Sequence, residues 1–354
     1  RALDGVTLHR LLGSRPGSRR RFRHDRANRL AHDVVVVDET SMVSLELMAR
    51  LLEAVRPGAR LVLVGDPGQL ASVEAGAVLG DVVGPPSATG PLAEGVVVLD
   101  RVHRYGEAIG RVAEAVRGGH ADAVIEALRD GAPAVTWHDV DAADPAGAAA
   151  IRPAVVGAGA EVVEAARRGD ARAALAALGA TRVLCAHRRG PYGVSAWAAA
   201  VERWLADELD DFRPGVARWY AGRPVLITEN DHELRLSNGD AGVAVVTGGR
   251  LRIAFERRDG VLLVGPARLQ AAESVHAMTI HKSQGSQVGT AVVVLPDPSS
   301  RILTRELLYT AVTRAQDRLV LVGPEETIRA AVQRPVARAS GLRERLWDVP
   351  GARA

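Results

Sequence analysis

Residues 34–70 read VVVVDETSMVSLELMARLLEAVRPGARLVLVGDPGQL, and the alternation of apolar and polar runs within them decides the fold class. Val34–Val37 is an unbroken apolar run bounded by polar residues. Such a run suits a strand buried on both faces of a parallel sheet, which has no solvent side to alternate towards. From Ser44 to Arg56, the residues Leu45, Met48, Leu51, Leu52 and Val55 recur at helical spacing, and Pro57-Gly58 ends the helix. Leu61–Val64 is a second buried strand. Strand, helix and strand of this length predict a right-handed βαβ unit. Ligands of such sheets bind at the carboxyl ends of the strands. Asp38-Glu39 and Gly65-Asp66-Pro67-Gly68-Gln69 both fall there.

Outward from this unit, a Pro- and Gly-rich loop (Gly84–Gly95) leads to an expected strand at Val96–Leu99. Ala- and Arg-rich helical stretches run to about Gly179, followed by a strand at Val183–Ala186 and a helix through Trp197 and Trp204. The pattern then changes. Val225–Ile227, Ala241–Val246, Leu251–Phe255 and Val261–Val264 are short β segments divided by Asn238-Gly239, Gly248-Gly249 and Asp259-Gly260 turns. They predict a small barrel inserted into the chain. Afterwards α/β character returns with Ala291–Leu295, a helix over Thr304–Arg314 and a strand over Arg318–Val322. The expected class is α/β, with two parallel-sheet domains and a β insertion in the second.

Length and composition agree with that class. The 354 residues suggest about two domains, and 47% hydrophobic residues exclude global disorder. No run is read as a membrane span. The single cysteine, Cys185, forms no internal disulfide and fits a reducing, cytoplasmic setting, most simply as a buried strand residue. A formal charge of +3 permits nucleic-acid binding without arguing for it. The basic residues are Arg apart from Lys282. A phosphate-binding loop, GxxxxGK(S/T), needs a Lys after Gly, yet His281 precedes Lys282. The chain therefore lacks that loop.

Several clusters carry chemistry, each with a plainer alternative. Asp38 can hold Mg²⁺ and Glu39 can polarise a water that attacks a γ-phosphate; an acidic turn would look the same. Gln69, beyond the partner strand, can touch both a γ-phosphate and a DNA surface. Thr279-Ile280-His281-Lys282-Ser283-Gln284-Gly285-Ser286 gathers donors suited to phosphates around a glycine, and also fits a polar helix start. Arg314 follows a helix carrying Tyr309, Thr310 and Thr313 and can project from a sheet edge to meet phosphoryl charge. A surface arginine is its alternative, as for Arg104. Arg15, Arg19, Arg20, Arg21, Arg23 and Arg26, with Phe22 and His24, could line a DNA backbone or form a solvated loop. His120, His138 and His276 show no metal-ligand spacing.

The order of these motifs is more specific than any one of them. Thr7–Gly13 (TLHRLLG), Val34–Met42, Gly65–Leu79 (GDPGQLASVEAGAVL), Arg104-Tyr105, Ala277–Ser286 (AMTIHKSQGS) and Leu308–Ala315 (LYTAVTRA) follow one another. This succession resembles superfamily 1 DNA helicases, and within them the RecD group. Cys185–Gly193 (CAHRRGPYG) and Arg218–Val225 (RWYAGRPV) resemble the RecD subunits of exodeoxyribonuclease V more than the stand-alone RecD-like helicases. The sequence departs from the group at Gln287 and Val288, where a glutamate and an aromatic are usual.

The resemblance implies two RecA-like motor domains clamping ATP and an SH3-like insertion. It places the truncated first domain over 1–95, the second over 96–218 and 271–354, and the insertion over 219–270. It assigns Asp38 and Glu39 to Mg²⁺ and water, Gln69 to the γ-phosphate, and Arg104, Gly285 and Arg314 to the nucleotide. Thr7, His9, Thr279, His281 and Lys282 are assigned to DNA. It further implies 5′→3′ translocation on single-stranded DNA from duplex ends, with RecB- and RecC-like subunits in a heterotrimer acting in break repair and recombination. The phosphate loop is expected upstream of Thr7, so this chain by itself should be inactive. A stand-alone helicase, or a non-catalytic DNA-binding scaffold, are the alternatives.

Overall fold

The valines of residues 34–37 form strand β1 (Val34–Val37), and Arg60–Leu63 forms β2, paired with it in parallel from Val34↔Arg60 to Val37↔Leu63. The computed structural model describes residues 5–14, 21–72, 77–85, 92–99, 102–336 and 341–347. Before β1 lies the short helix α1 (Leu8–Leu12). Between the strands runs α2 (Leu45–Ala54), whose first turn is capped by the Ser44 hydroxyl accepting from Leu47 N. A third helix, α3 (Val78–Val83), follows β2. Leu12, Phe22, Leu30, Val35, Val37, Met48, Leu51 and Val78 share one core.

Burial on both faces of β1, expected from the valine run, is not found. Val35 and Val37 point into the core, while Val34 and Val36 are 54% and 62% exposed. Successive side chains of a strand alternate faces, and the described helices cover only one of them. Val62 and Val64 are exposed too. The strand expected at Val96–Leu99 is likewise absent: these residues join no ladder, and Val97, Val98 and Leu99 are at least 64% exposed. A strand exists through its neighbour's backbone, and among the described residues none is offered.

The second unit begins at residue 102. It contains α4 (Glu107–Gly118), α5 (Ala121–Arg129), β3 (Val135–His138), α6 (Pro145–Arg167), α7 (Ala171–Ala180), β4 (Thr181–Cys185) and α8 (Val194–Glu208). Then come β5 (Pro224–Ile227), β6 (Ala241–Thr247), β7 (Arg250–Arg257), β8 (Gly260–Val264), β9 (Ala272–Ser274) and β10 (Ala277–Thr279). The unit closes with β11 (Val288–Val294), α9 (Arg305–Val312), β12 (Ala315–Val322) and α10 (Glu325–Gln333). Strands β10-β4-β11-β12-β3 form one sheet in that order, with every pairing parallel. Strands β4, β11 and β12 are the ones anticipated from the apolar runs; β3 lies in a stretch expected to be helical, and β10 was not expected.

The inserted β segments form a separate antiparallel sheet in the order β8-β7-β6-β5-β9. Its closing strand β9 ends at Ser274, beyond the expected limit at 270. Among the described residues no ladder joins edges β8 and β9, so the anticipated barrel is not closed by hydrogen bonds. One face of the sheet encloses Val225, Ile227, Ile253 and Phe255. The other packs Val243, Val245 and Ala254 against α6 and α7 through Val162, Ala166, Ala174 and Leu178. Helix α6 qualifies the expectation about membrane spans, because its 23 residues are long and apolar enough to cross one. Its Ile151, Val155 and Val163 nevertheless lie in the core of the parallel sheet.

The chain end does not complete the second domain as expected. From Val336 it groups with the first unit, and helix α11 (Leu342–Leu346) packs on α3. Arg343 donates to the Gly80 carbonyl at 3.1 Å, and its Nε lies 3.5 Å from the Asp81 carboxylate. The buried Trp347 indole donates to the Asp81 carbonyl at 2.8 Å. A Cβ on Gly84 would stand 2.5 Å from Trp347 Cε2, so only glycine lets the ring lie flat there. Truncating so buried an aromatic costs about 3 kcal/mol. We therefore expect Trp347→Ala to speed amide exchange selectively over Val78–Gly84; unchanged protection would mean that the tail is not docked.

Candidate functional site

In the first unit, chemistry collects where β1 and β2 end side by side. Asp38 is exposed, and its Oδ1 accepts the Glu39 backbone N–H at 2.8 Å. Glu39 takes a left-handed conformation at φ 51°, unusual for a residue with a side chain. That turn ends the strand and starts the single helical turn Thr40–Met42. Thr40 is fully buried and ties the two strands together. Its backbone N–H donates to the Val64 carbonyl at 2.9 Å, and its hydroxyl donates to the Val37 carbonyl at 3.0 Å. Ser72 N–H donates to the Ser41 carbonyl at 3.1 Å, a further tie between the two loops.

Gly65 is required by this close approach. A Cβ there would meet Leu79 Cδ2 at 2.8 Å and Thr40 N at 3.0 Å. The Asp66 carboxylate organises the loop beyond, accepting from Gly68 N–H at 2.9 Å and from the Gln69 amide at 3.2 Å. Gln69 is buried. No individual role was assigned to Thr40 or Asp66 from the sequence. An Asp followed by Pro-Gly is nevertheless a turn signal with a mechanism, because the carboxylate accepts from the backbone two residues on.

His9 lies on α1 and Thr7 is the N-cap of that helix. The Thr7 hydroxyl caps the helix by accepting from Arg10 N–H. The exposed His9 ring lies 5.9 Å from that of Phe22. Of the basic stretch, Arg21, Arg23 and Arg26 are exposed, with Arg26 3.5 Å from Glu53. Arg15, Arg19 and Arg20 fall outside the described residues.

The second unit holds the other set. Ile280 N–H donates to the Cys185 carbonyl at 2.9 Å, which carries the chain off the end of β10 into the turn His281–Ser283. The buried Thr279 hydroxyl accepts from Lys282 N–H at 3.2 Å. Lys282 Nζ itself is exposed and lies 3.2 Å from Glu273. Gly285 turns the chain at φ 75°, and Ser286 Oγ donates to the Ser283 carbonyl at 2.8 Å.

Arg314 corrects both readings of it, for it is neither a surface arginine nor a side chain projecting from a sheet edge. It is 2% exposed. Its Nε donates to the Thr310 carbonyl at 3.1 Å and Nη1 to the Ser286 carbonyl at 3.0 Å. A buried guanidinium is tolerated only when its fork of donors is satisfied, and the backbone of the 283–286 turn supplies acceptors. The structure thus joins Arg314 to the 279–286 motif. Arg104 is exposed in the bend before α4.

Two family matches align with these units. Residues 1–138 match the AAA domain, running past the structural division at 101 to the end of β3, and residues 274–322 match the UvrD-like helicase C-terminal domain. Fold and matches together define the class: α/β, parallel-sheet domains similar to the AAA domain and the UvrD-like helicase C-terminal domain. The RecBCD enzyme subunit RecD of Mycolicibacterium smegmatis is 53% identical over 344 residues, covering 97% of this chain and 59% of that protein. The corresponding subunit of Haemophilus influenzae is 32% identical over 97% of this chain and 59% of its own length. The ATP-dependent RecD2 DNA helicase of Deinococcus radiodurans is 32% identical over 96% of this chain but 43% of its own length. The chain is similar to RecD subunits along nearly its whole length, and it spans about three-fifths of the length of these relatives. A Bacteroides Pif1 helicase solved with ADP-AlF3 and ssDNA superposes at 16% identity and TM-score 0.46 over 90% of this chain and 78% of that one, too distantly to bear on the site.

Cys185 is fully buried on β4, as its apolar surroundings foretold, and burial raises its thiol well above the usual range. A raised pKa leaves the neutral, unreactive thiol dominant at pH 8. Native protein should therefore resist iodoacetamide at that pH, with alkylation appearing only in denaturant; fast native labelling would contradict the burial.

Proposed function

We propose that the protein carrying this chain is an ATP-driven DNA helicase subunit, moving 5′→3′ on single-stranded DNA and working with RecB- and RecC-like subunits at duplex ends in break repair and recombination. The observation that carries this reading is the 53% identity to a RecBCD enzyme subunit RecD over 97% of the chain. The 32% identity to the RecD2 helicase favours the stand-alone alternative less. A scaffold reading has no use for a carboxylate pair held at the end of β1 beside the Gln69 loop. Work on DNA fits a cytoplasmic setting.

The exposed Asp38 carboxylate is a hard oxygen donor, and its place at a parallel strand's end suits Mg²⁺. Magnesium would supply charge neutralisation on the nucleotide phosphates. Glu39, fixed by its left-handed turn, would orient and deprotonate the attacking water. Gln69 would sense the γ-phosphate once its amide leaves Asp66. Arg104, Gly285 and Arg314 would contact the nucleotide, and Arg314 would first have to release the Ser286 carbonyl. Thr7, His9, Thr279, His281 and Lys282 would meet DNA.

Lys282 is the only lysine, so a Lys-bearing phosphate loop must come from outside these 354 residues. The uncovered faces of β1 and β2, with Val97–Leu99, are where the rest of the first motor domain would pack.

The decisive test is Glu39→Gln in the full-length protein. Removing a general base costs about 10²–10⁴ in rate. Turnover should fall by at least the lower figure while binding of a fluorescent nucleotide persists; wild-type turnover would overturn the assignment.

A further inference from the structure

The β insertion leaves and rejoins the parallel-sheet unit through a buried polar neck. On the outgoing side Tyr220 Oη donates to Glu202 Oε1 on α8 at 2.8 Å. Arg223 stacks over Trp219, its guanidinium carbon 4.5 Å from the ring centre. On the returning side Ser274 Oγ accepts from Arg223 Nε at 2.9 Å, and His276 Nε2 lies 3.0 Å from Tyr220 Oη. Val275 sits between these two residues. Its N–H donates to the Pro224 carbonyl at 3.0 Å, at the start of β5. Its carbonyl accepts from Arg182 Nη1 at 2.8 Å.

Arg182 is the unexpected member of this neck. It is the second residue of β4, is 7% exposed, and its Nη2 donates to the Leu178 carbonyl in the last turn of α7 at 3.1 Å. Helix carbonyls at that end carry partial negative charge, which suits a cation. Burial lowers its pKa to about 10, so the group remains charged at neutral pH and must keep its acceptors.

The geometry explains what this contact holds. Among the described residues β10 is an edge strand, paired only with β4 over Ala277↔Val183, Met278↔Leu184 and Thr279↔Cys185. Arg182 adds a side-chain tie immediately before that short ladder. A cavity of about 50 Å³, lined by Arg182, Gly222, Pro224, Val275 and His276, borders the same spot. Val275 is itself buried, and its backbone is held on both sides by hydrogen bonds.

We propose that Arg182 is a positioning residue for the Ala277–Ser286 motif. By fastening the Val275 carbonyl to β4 and to the end of α7, it sets where the chain enters the motif. It thereby sets how Thr279, His281 and Lys282 are presented to DNA. This role rests on the reading of those residues as DNA-contacting.

The test uses the full-length protein with its partner subunits, Arg182→Met and Arg182→Lys, and ATP turnover titrated with a single-stranded oligothymidine. Arg182→Met should raise the half-saturating DNA concentration about tenfold, with turnover at saturating DNA and the KM for ATP within about twofold of wild type. Arg182→Lys, which keeps the charge but reaches one carbonyl, should fall between. Amide exchange should quicken over 277–286 in both. Should Arg182→Met fail to fold, the lysine variant decides by the same measures. Unchanged DNA half-saturation in a folded variant overturns the proposal, as does a parallel loss in all three parameters. Wild-type turnover indifferent to DNA would instead sink the helicase reading itself.

Discussion

Parallel pairing is the constraint on which the rest depends. When strands run the same way, their carboxyl ends gather at one edge, and the loops leaving them must share that edge. In the first unit this brings Asp38-Glu39 and the Gly65–Gln69 loop together, with Thr40 bonded to both strand ends. In the second it sets the Cys185 carbonyl beside Ile280, so the chain turns into the 279–286 motif at the corresponding end of β4 and β10. Polar chemistry collects at these edges because the ladder stops there and leaves backbone groups needing partners.

Buried arginines perform much of the fastening. Arg182, Arg223 and Arg314 each place a guanidinium inside the second unit and direct it to backbone carbonyls or a serine hydroxyl. A planar fork of fixed donors can hold two acceptors at once, which a single ammonium on a flexible stem does less well. Two of the three act on the segment from Ser274 to Val275, and the third on the turn that follows. Arg314, the 279–286 motif and the β insertion are therefore joined by hydrogen bonds to one stretch of chain, Ser274–Ser286.

The polar clusters at the strand ends were legible because their chemistry is local. A carboxylate pair directly after an apolar run, or Asp-Pro-Gly after another, marks a strand end whatever surrounds it. The β insertion was legible through its Gly-containing turns, which punctuate strands independently of packing. What could not be read was the direction of individual side chains. Arg314 has the same neighbours in sequence whether it points outward or inward, and only the carbonyls of a turn some thirty residues earlier decide it.

By itself, then, the sequence determined most of the element types, though not β3 or the fate of Val96–Leu99, together with the parallel class and the residues at the strand ends, because periodicity and turn chemistry act over a few residues. Tertiary structure alone decided which faces those elements bury. It left Val34 and Val36 bare, denied Val96–Leu99 a partner, closed the insertion sheet with β9, and carried the chain end back to the first unit through Trp347 and Asp81. Each of those outcomes depends on contacts between residues distant in the chain, and a local pattern holds no information about what will lie opposite it. The strand of valines that first indicated the fold is the clearest instance: its composition specified a strand, and its surroundings specified that only half of it is buried.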